Sequence, residues 1–515
     1  IKRFSQVGDV VLDPFGGSGV TAVEALVLKR KAIYSDINPM AGFICRNIAV
    51  SPVNIDDFRS AFDDIARNCQ EKIEEVYRMS PEEAADLEIP YWYPQGVRLP
   101  KNADAESVEN LFTKRQLFSL SLILNQIELI TDPIIKDLMR FTFSATLNKT
   151  NLTFSSTRGR IESRGNSGIM HRYRYWIPPQ TIDLNVWEQF EQKFKGTAKF
   201  KIETNTVIGD FYQENFSIFD FSATDLTGIS SESVDYIYTD PPYGKKIPYL
   251  DLSIMWNAWL DLEVTEKDYQ LEAIEGGTIQ KSKQEYNQLI AQSIREMYRV
   301  LKFERWLSFV FAHKDPEFWH LILDTAESCG FEYVGAVPQK NGQTSFKKRQ
   351  NPFTVLSGQL IINFRKVPTP KAVMKANLGM DITEIVMQTV EGIIAKNDGA
   401  TLEQINDELI IKGLELGFLD LLAKEYSDLT PILLDNFDYE EKTELYTIKK
   451  DSKFKSKIDV KLRIKYYLIS YLRRMERDNK SSSFDDIVFN ILPLLKNGTT
   501  PENQTILSVL EDIAQ

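Results

Sequence analysis

Histidine and cysteine are scarce in this chain, with three of each in 515 residues. Cys45, Cys69 and Cys329 lie far apart and form no Cys-x-x-Cys pair. Neither a structural zinc site nor a disulfide framework is therefore expected, and a reducing cytoplasm is the default compartment. No apolar run approaches the roughly 20 residues that span a bilayer, and the N-terminus has no signal-peptide pattern. Positive charge is also in deficit: 61 Lys and Arg against 73 Asp and Glu leave a net charge of −12 and a pI near 5.1. That deficit counts only weakly against a nucleic-acid partner. Charges are screened beyond about 8 Å at physiological salt, so a local basic groove outweighs the total. The chain opens at Ile1 with no methionine, a short way before its first motif, and residues upstream are expected.

What is present reads as a soluble multidomain protein. Hydrophobic residues make up 43% and charged residues 26%, which are ordinary globular values. The length exceeds what one core supports. The stretch Val234-Asp-Tyr-Ile-Tyr-Thr-Asp-Pro-Pro-Tyr243-Gly244 organises the reading. A β-branched and aromatic run predicts a buried strand, and Pro241 and Pro242 end it, because neither can donate to a sheet ladder. Asp240 and Tyr243 are thereby presented at the carboxyl end of a strand, where open α/β sheets bind ligands. A capped strand end with a packed tyrosine is the competing reading of this motif taken alone.

Three further segments fit the same sheet edge. Val10-Val-Leu-Asp13 is an apolar strand that breaks into Pro14-Phe-Gly-Gly-Ser-Gly19 and then into helical periodicity. Glycines permit a tight turn and close approach of a ligand, and the following helix offers unpaired N–H groups. The next strand, Lys31 to Asp36, ends in an acid about twenty residues after the glycines, the spacing at which nucleoside-binding sheets hold ribose hydroxyls. Thr206-Val-Ile-Gly-Asp210 reads as a third strand closing on an acid. Beyond the opening stretch, Leu252 to Leu260 has an aromatic helical face expected to roof the crevice. Helices near 284–301 and 316–329 alternate with strands at 306–311, 331–337 and 355–364. The fold class expected is α/β, a doubly wound Rossmann-like sheet ending in an antiparallel hairpin.

Residues 51–204 interrupt this rhythm with mostly helical sequence, including Leu117 to Leu147 broken at Asp132-Pro133. A basic, aromatic tract follows, with Arg158, Arg160, Arg164, His171, Arg172, Tyr173, Arg174, Tyr175 and Trp176. Guanidinium groups interleaved with aromatics suit phosphate contact and base stacking, although a solvated loop with packed aromatics would read alike. A second basic loop holds Lys347, Lys348 and Arg349. After Pro368 and Pro370 the composition shifts. Helices at 382–395 and 402–414, a strand at 445–448 and a cationic helix at 461–475 make residues 367–515 a helical or winged-helix domain for DNA or a partner.

Together these motifs resemble the S-adenosylmethionine-dependent amino-methyltransferases of DNA, most closely the large prokaryotic adenine-specific methylases with a long insertion. Asp13 to Gly19 is similar to the family's cofactor motif, Asp240-Pro-Pro-Tyr243 to its catalytic motif, and Phe112-Thr-Lys-Arg-Gln-Leu117 more loosely to a segment of the insertion. The resemblance implies cofactor-binding and catalytic halves at 1–50 and 205–366. It implies that Asp13, Pro14, Phe15, Gly16, Gly17 and Gly19 shape the methionine pocket, Asp36 holds the ribose, and Asp210 with Phe211 holds the adenine. Asp240 and Pro241 would grip the target amine and Tyr243 would stack on a flipped base, with no metal. A Phe-containing motif usually precedes the glycine turn in this family, and nothing before Ile1 supplies it. Asp rather than Ser at position 240 implies adenine N6 over cytosine N4. A guanosine-N2 RNA methyltransferase and a non-catalytic recognition subunit compete with that reading. Double-stranded DNA is the implied substrate, with a cognate restriction endonuclease or a defence-system subunit as a candidate partner.

Overall fold

The computed structural model describes residues 1–156, 165–167, 169, 172–244, 247–311, 316–338, 360–370, 382–397, 399–416, 429–449, 481–492 and 501–514, with seven further positions between 461 and 475. The chain divides into two units, Ile1–Glu296 and Met297–Gln515.

The first unit is built on four strands: β1 (Val10–Asp13), β2 (Lys31–Ser35), β3 (Phe216–Phe219) and β4 (Val234–Thr239). All pair in parallel, β1 with β2, β2 with β3, and β1 with β4. Their order is β3-β2-β1-β4, so the chain moves outward from β1 and then returns to its other side. This reversal opens a crevice at the carboxyl ends of β1 and β4, the switch point at which such sheets receive ligands. Parallel strands are covered on both faces, which explains the near-continuous burial of Val11, Leu12, Tyr34, Val234, Tyr236 and Ile237. Helix α1 (Val20–Val27) crosses from β1 to β2, and α2 (Pro39–Ala49), capped by the Asn38 side chain, leaves β2.

Between α2 and β3 lies the helical insertion: α3 (Ile55–Arg78), α4 (Lys114–Glu128), α5 (Pro133–Leu147) and α6 (Val186–Val207). Asp132 caps α5 with Pro133 in its first turn, so the expected break at Asp132-Pro133 is a helix start. Phe112 to Leu117 is likewise a helix start, in which Thr113 and Gln116 form a capping box. The insertion core is aromatic. Phe62 and Phe194 stack at 3.9 Å and Trp187 lies 5.5 Å from Phe62. Helix α7 (Tyr249–Leu260) joins this core through Trp256, whose Nε1 donates to Ser144 O at 3.0 Å, and through Trp259 against Phe112 and Phe143. The aromatic face expected to roof the crevice therefore packs on the insertion instead. Apolar area decides this, since burying such rings is worth about 1.5–3 kcal/mol each.

In the second unit, strand Leu360–Lys366 lies between Leu301–Phe311 and Phe331–Pro338 and runs antiparallel to both. The expected antiparallel hairpin is thus present. Helices Ile382–Asn397 and Leu402–Leu416 follow, then the short helix Thr430–Asn436. Strands Ala400–Thr401, Leu445–Ile448 and Phe437–Glu440 form an antiparallel sheet in that order. Ile464, Leu468, Tyr471, Ile487, Ile491, Ile506 and Val509 form a further core. Among the described residues, no helix is long and apolar enough to cross a membrane.

Candidate active site

β1 stops at Asp13, and its buried carboxylate is the joint between two strand ends. Oδ1 accepts from Thr239 Oγ1 at 2.8 Å and from Phe15 N at 3.2 Å. Burial pushes the Asp13 carboxyl up to about 7, against the hydrogen bonds from Thr21 and Thr239. Pro14 is buried and Phe15 half-buried beside it.

The glycine turn is packed from beneath by its own protein. Gly16 N donates to Ser35 O at 3.0 Å, and Tyr34 Oη donates to Gly17 O at 2.7 Å. A Cβ on Gly16 would lie 2.2 Å from the Tyr34 ring, and one on Gly19 would lie 2.3 Å from Cys45 Sγ. Only Gly17 of the three has open space where a Cβ would project, and its φ of +49° is left-handed. Two glycines thus admit neighbouring side chains, and one leaves the backbone accessible.

Asp36, just past β2, accepts from Gly17 N and from Asn38 N, both at 2.8 Å. Burial raises its carboxyl above the ordinary value, and the charge of Asp220 adds to the rise. Asp220 follows β3 directly, and a Cβ on Gly42 would sit 3.1 Å from its Oδ1. Ser35 Oγ donates to the carbonyl of Phe221, fixing the same strand end.

The third strand does not lie at 206–210. Thr206 and Val207 end the long helix α6, and Gly209 turns the chain at φ +57°. Asp210 precedes a short helix that contains Phe211, ahead of β3. Lys29, after α1, donates to Val207 O and Ile208 O and lies over the Phe211 ring at 5.1 Å. Asp210 and Phe211 therefore belong to the amino edge of the sheet, opposite Asp13 and Asp36. The acid at the carboxyl end of the third strand is Asp220. Its signal is legible in Phe216-Ser-Ile-Phe-Asp220, a short apolar, aromatic run ending in a carboxylate.

β4 delivers Asp240, exposed, and then Pro241, Pro242 and half-buried Tyr243. The Tyr243 hydroxyl donates to Asp240 Oδ1. Tyr286, on helix α8 (Lys283–Val300), donates its hydroxyl to Pro242 O at 2.7 Å. Glu275 N donates to Gly244 O at 3.2 Å. Tyr249, in the first turn of α7, has its hydroxyl raised by partial burial, to which the charges of Asp240 and Asp36 add. Buried Glu272 accepts from Leu250 N at 3.0 Å, and burial pushes its carboxyl up to about 7. Sequence reading misses Tyr286 and Glu272, because their distance along the chain gives no signal.

The basic tract divides. Tyr175 is 1% exposed, and its hydroxyl donates to Leu252 O and accepts from Met255 N. It is a core residue rather than a stacking platform. Arg174 is paired with Asp104 at 2.7 Å and also donates to Asn102 O. Arg172 is exposed, with its guanidinium 4.9 Å from the Trp176 ring centroid. Arg158, Arg160, Arg164, Lys347, Lys348 and Arg349 lie outside the described residues.

Residues 1–42, which hold the glycine turn and Asp36, match a family model described as DNA methylase. The Type II methyltransferase M.MvaI of Kocuria varians is 23% identical over 272 residues, covering 50% of this chain and 51% of that protein. The chain thus spans about half the length of this curated relative. A structure of SAM-dependent methyltransferases from Methanosarcina mazei aligns over 71% of this chain and 96% of that one, at 10% identity and a TM-score of 0.26. Geranyl diphosphate C-methyltransferase from Streptomyces coelicolor A3(2) aligns over 33% and 59%, at 8% identity and a TM-score of 0.19. At those scores the structural likeness adds no weight. The two sequence matches, one at the glycine turn and one across half the chain, support the DNA methyltransferase family for this protein.

Proposed function

We propose that the chain transfers a methyl group from S-adenosylmethionine to the exocyclic N6 amine of an adenine turned out of duplex DNA, leaving S-adenosylhomocysteine. One observation carries this reading: Asp13, Asp36, Asp220 and Asp240 to Tyr243 all lie at the carboxyl ends of neighbouring parallel strands. A crevice lined by carboxylates suits a cofactor that bears a sulfonium and an ammonium charge. Bound there, S-adenosylmethionine supplies an electrophilic methyl on positively charged sulfur.

The chain's residues divide the remaining work. The open backbone at Gly17 admits the methionine end beside Phe15 and Pro14. Asp36 retains acceptor capacity on both oxygens for ribose hydroxyls, and Asp220 takes the adenine role in place of Asp210. The target amine donates one N–H to the Asp240 carboxylate and one to the Pro241 carbonyl. That favours the pyramidal, partly positive nitrogen formed as the N–C bond forms and the S–C bond breaks. The surplus proton leaves the amine for Asp240 or solvent. Tyr243, which bonds Asp240 in this structure, releases it and stacks on the flipped base. An aspartate at position 240 is the basis for preferring adenine N6 to cytosine N4.

Arg172 on Trp176 is the DNA contact we favour among the described residues, while Arg174 serves the fold. In the second unit, the helix, strand, helix, helix and hairpin order, with the first short strand beside the last, supports a winged-helix reading. Its hairpin carries Asp438, Glu440, Glu441 and Glu444 against Lys442, so a protein partner suits that hairpin better than phosphate. A restriction-modification or phage-defence setting, beside a cognate endonuclease, fits this chemistry. Incubation with labelled S-adenosylmethionine and duplex DNA, followed by nucleoside mass spectrometry, tests the proposal. N6-methyladenine supports it; N4-methylcytosine moves the target base, and no label in DNA refutes it.

A further inference from the structure

The segment Pro241-Pro242 has a structural weakness, because two successive prolines remove two backbone donors and leave the turn to be held from outside. Tyr286 meets that need. It is fully buried in the first turn of α8, and its hydroxyl donates 2.7 Å to the carbonyl of Pro242. One phenol oxygen therefore holds the peptide group that precedes Tyr243. Gly244, at φ +60°, is held by Glu275 N at its carbonyl.

The helix start that carries Tyr286 is itself pinned. Glu285 Oε2 accepts from Ser282 N and Ser282 Oγ, both at 2.7 Å, and Ser282 Oγ accepts from Glu285 N at 3.2 Å. The first turn cannot fray without breaking these bonds, so the phenol is presented from a fixed point. Proline fixes φ at Pro242 but not ψ, and ψ at Pro242 aims Tyr243.

We infer that Tyr286 is a positioning residue that sets the aim of Tyr243 by holding the Pro242 carbonyl. This rests on the reading of Asp240 to Tyr243 as the amine-gripping clamp. It adds that the clamp is oriented from a helix more than forty residues downstream.

The test compares the full-length wild type, Tyr286→Phe, Tyr243→Ala and the double variant. Each is measured for kcat and KM on duplex DNA, affinity for S-adenosylmethionine, and thermal midpoint. Tyr286→Phe keeps the ring and removes only the hydroxyl that bonds Pro242 O. The expected result is a fall in kcat of about 10- to 100-fold, with cofactor affinity unchanged. The double variant is expected to be no slower than Tyr243→Ala, because Tyr286 acts through that ring. Unchanged kcat, additive losses, or a melting point more than about 10 °C below the wild type would each overturn the assignment. A wild type that methylates no DNA would instead sink the underlying function and leave the clamp geometry a fact of the fold.

Discussion

Thr239 Oγ1 donates a 2.8 Å hydrogen bond to Asp13 Oδ1 inside the sheet. The last residue of β4 is thereby tied to the last residue of β1, so the glycine turn and the Asp240 elbow share one anchor. At the other end of the pair, Asp235 Oδ2 accepts from Val10 N at 3.0 Å. Two carboxylates thus set the register of the strands between which the crevice opens. Replacing Asp13 by Ala would leave Thr239 without this acceptor and lower stability by about 1–3 kcal/mol, read from denaturant melts. Asn keeps an acceptor oxygen and should cost less.

Buried Glu272 gives the fold a pH signature. Its carboxyl is raised from the usual value to about 7, mainly by burial. A group whose folded pKa lies above its unfolded one contributes stability that is full below the unfolded value and lost as pH rises through the folded value. The window is therefore from about pH 4.5 to about pH 7. Glu272→Gln keeps an oxygen for Leu250 N and carries no charge, so it should gain stability relative to the wild type across that window. Denaturant melts at pH 5 and pH 8 measure this, and an equal difference at both would contradict it.

Asp220 and Asp210 separate two accounts of the cofactor site. Asp220→Asn should weaken S-adenosylmethionine binding about tenfold, an effect of about 1.4 kcal/mol, while Asp210→Asn should leave it unchanged. Calorimetric titration of both variants decides between them.

That pair also marks where sequence reading stops. Thr206-Val-Ile-Gly-Asp210 is β-branched and ends in an acid, yet it begins in a helix. Helix α6 buries Phe190, Phe194, Ala198 and Lys201 over its length, and such burial outweighs a β-branching penalty of a few tenths of a kcal/mol. The ends of β1, β2 and β4 are legible, because each couples an apolar run to an acid and a turn. Aromatic destinations are not. Tyr175 and Trp256 sit in sequence that suits stacking or roofing, but their partners, Leu252 and Ser144, are assembled only by the tertiary fold.

The glycines of the turn should respond differently. Gly19→Ala meets Cys45 Sγ at a left-handed φ of +84°, and should cost about 1–3 kcal/mol in overpacking with roughly a further 1–2 for the backbone. Gly17→Ala carries only the backbone cost, since nothing lies within 4 Å. It should keep the fold and lose cofactor affinity, read by thermal melts beside calorimetry.

Arg172 and Arg174 are close neighbours in sequence and differ in kind. Arg172→Ala should weaken DNA binding and flatten its salt dependence by about one unit of log–log slope. Arg174→Ala removes the partner of Asp104 and should lower stability with little change in that slope. Binding isotherms over a salt series, with melts of both variants, distinguish them.

Methyl transfer by Asp240→Ala is the most direct test of the whole account. The wild type and the variant are each given labelled S-adenosylmethionine and duplex DNA, and the nucleosides are then resolved by mass spectrometry. The wild type should yield N6-methyladenine, and Asp240→Ala should lose at least about 100-fold in kcat with cofactor affinity intact. A variant that methylates DNA as fast as the wild type would contradict the assignment of Asp240 as the group that grips the amine.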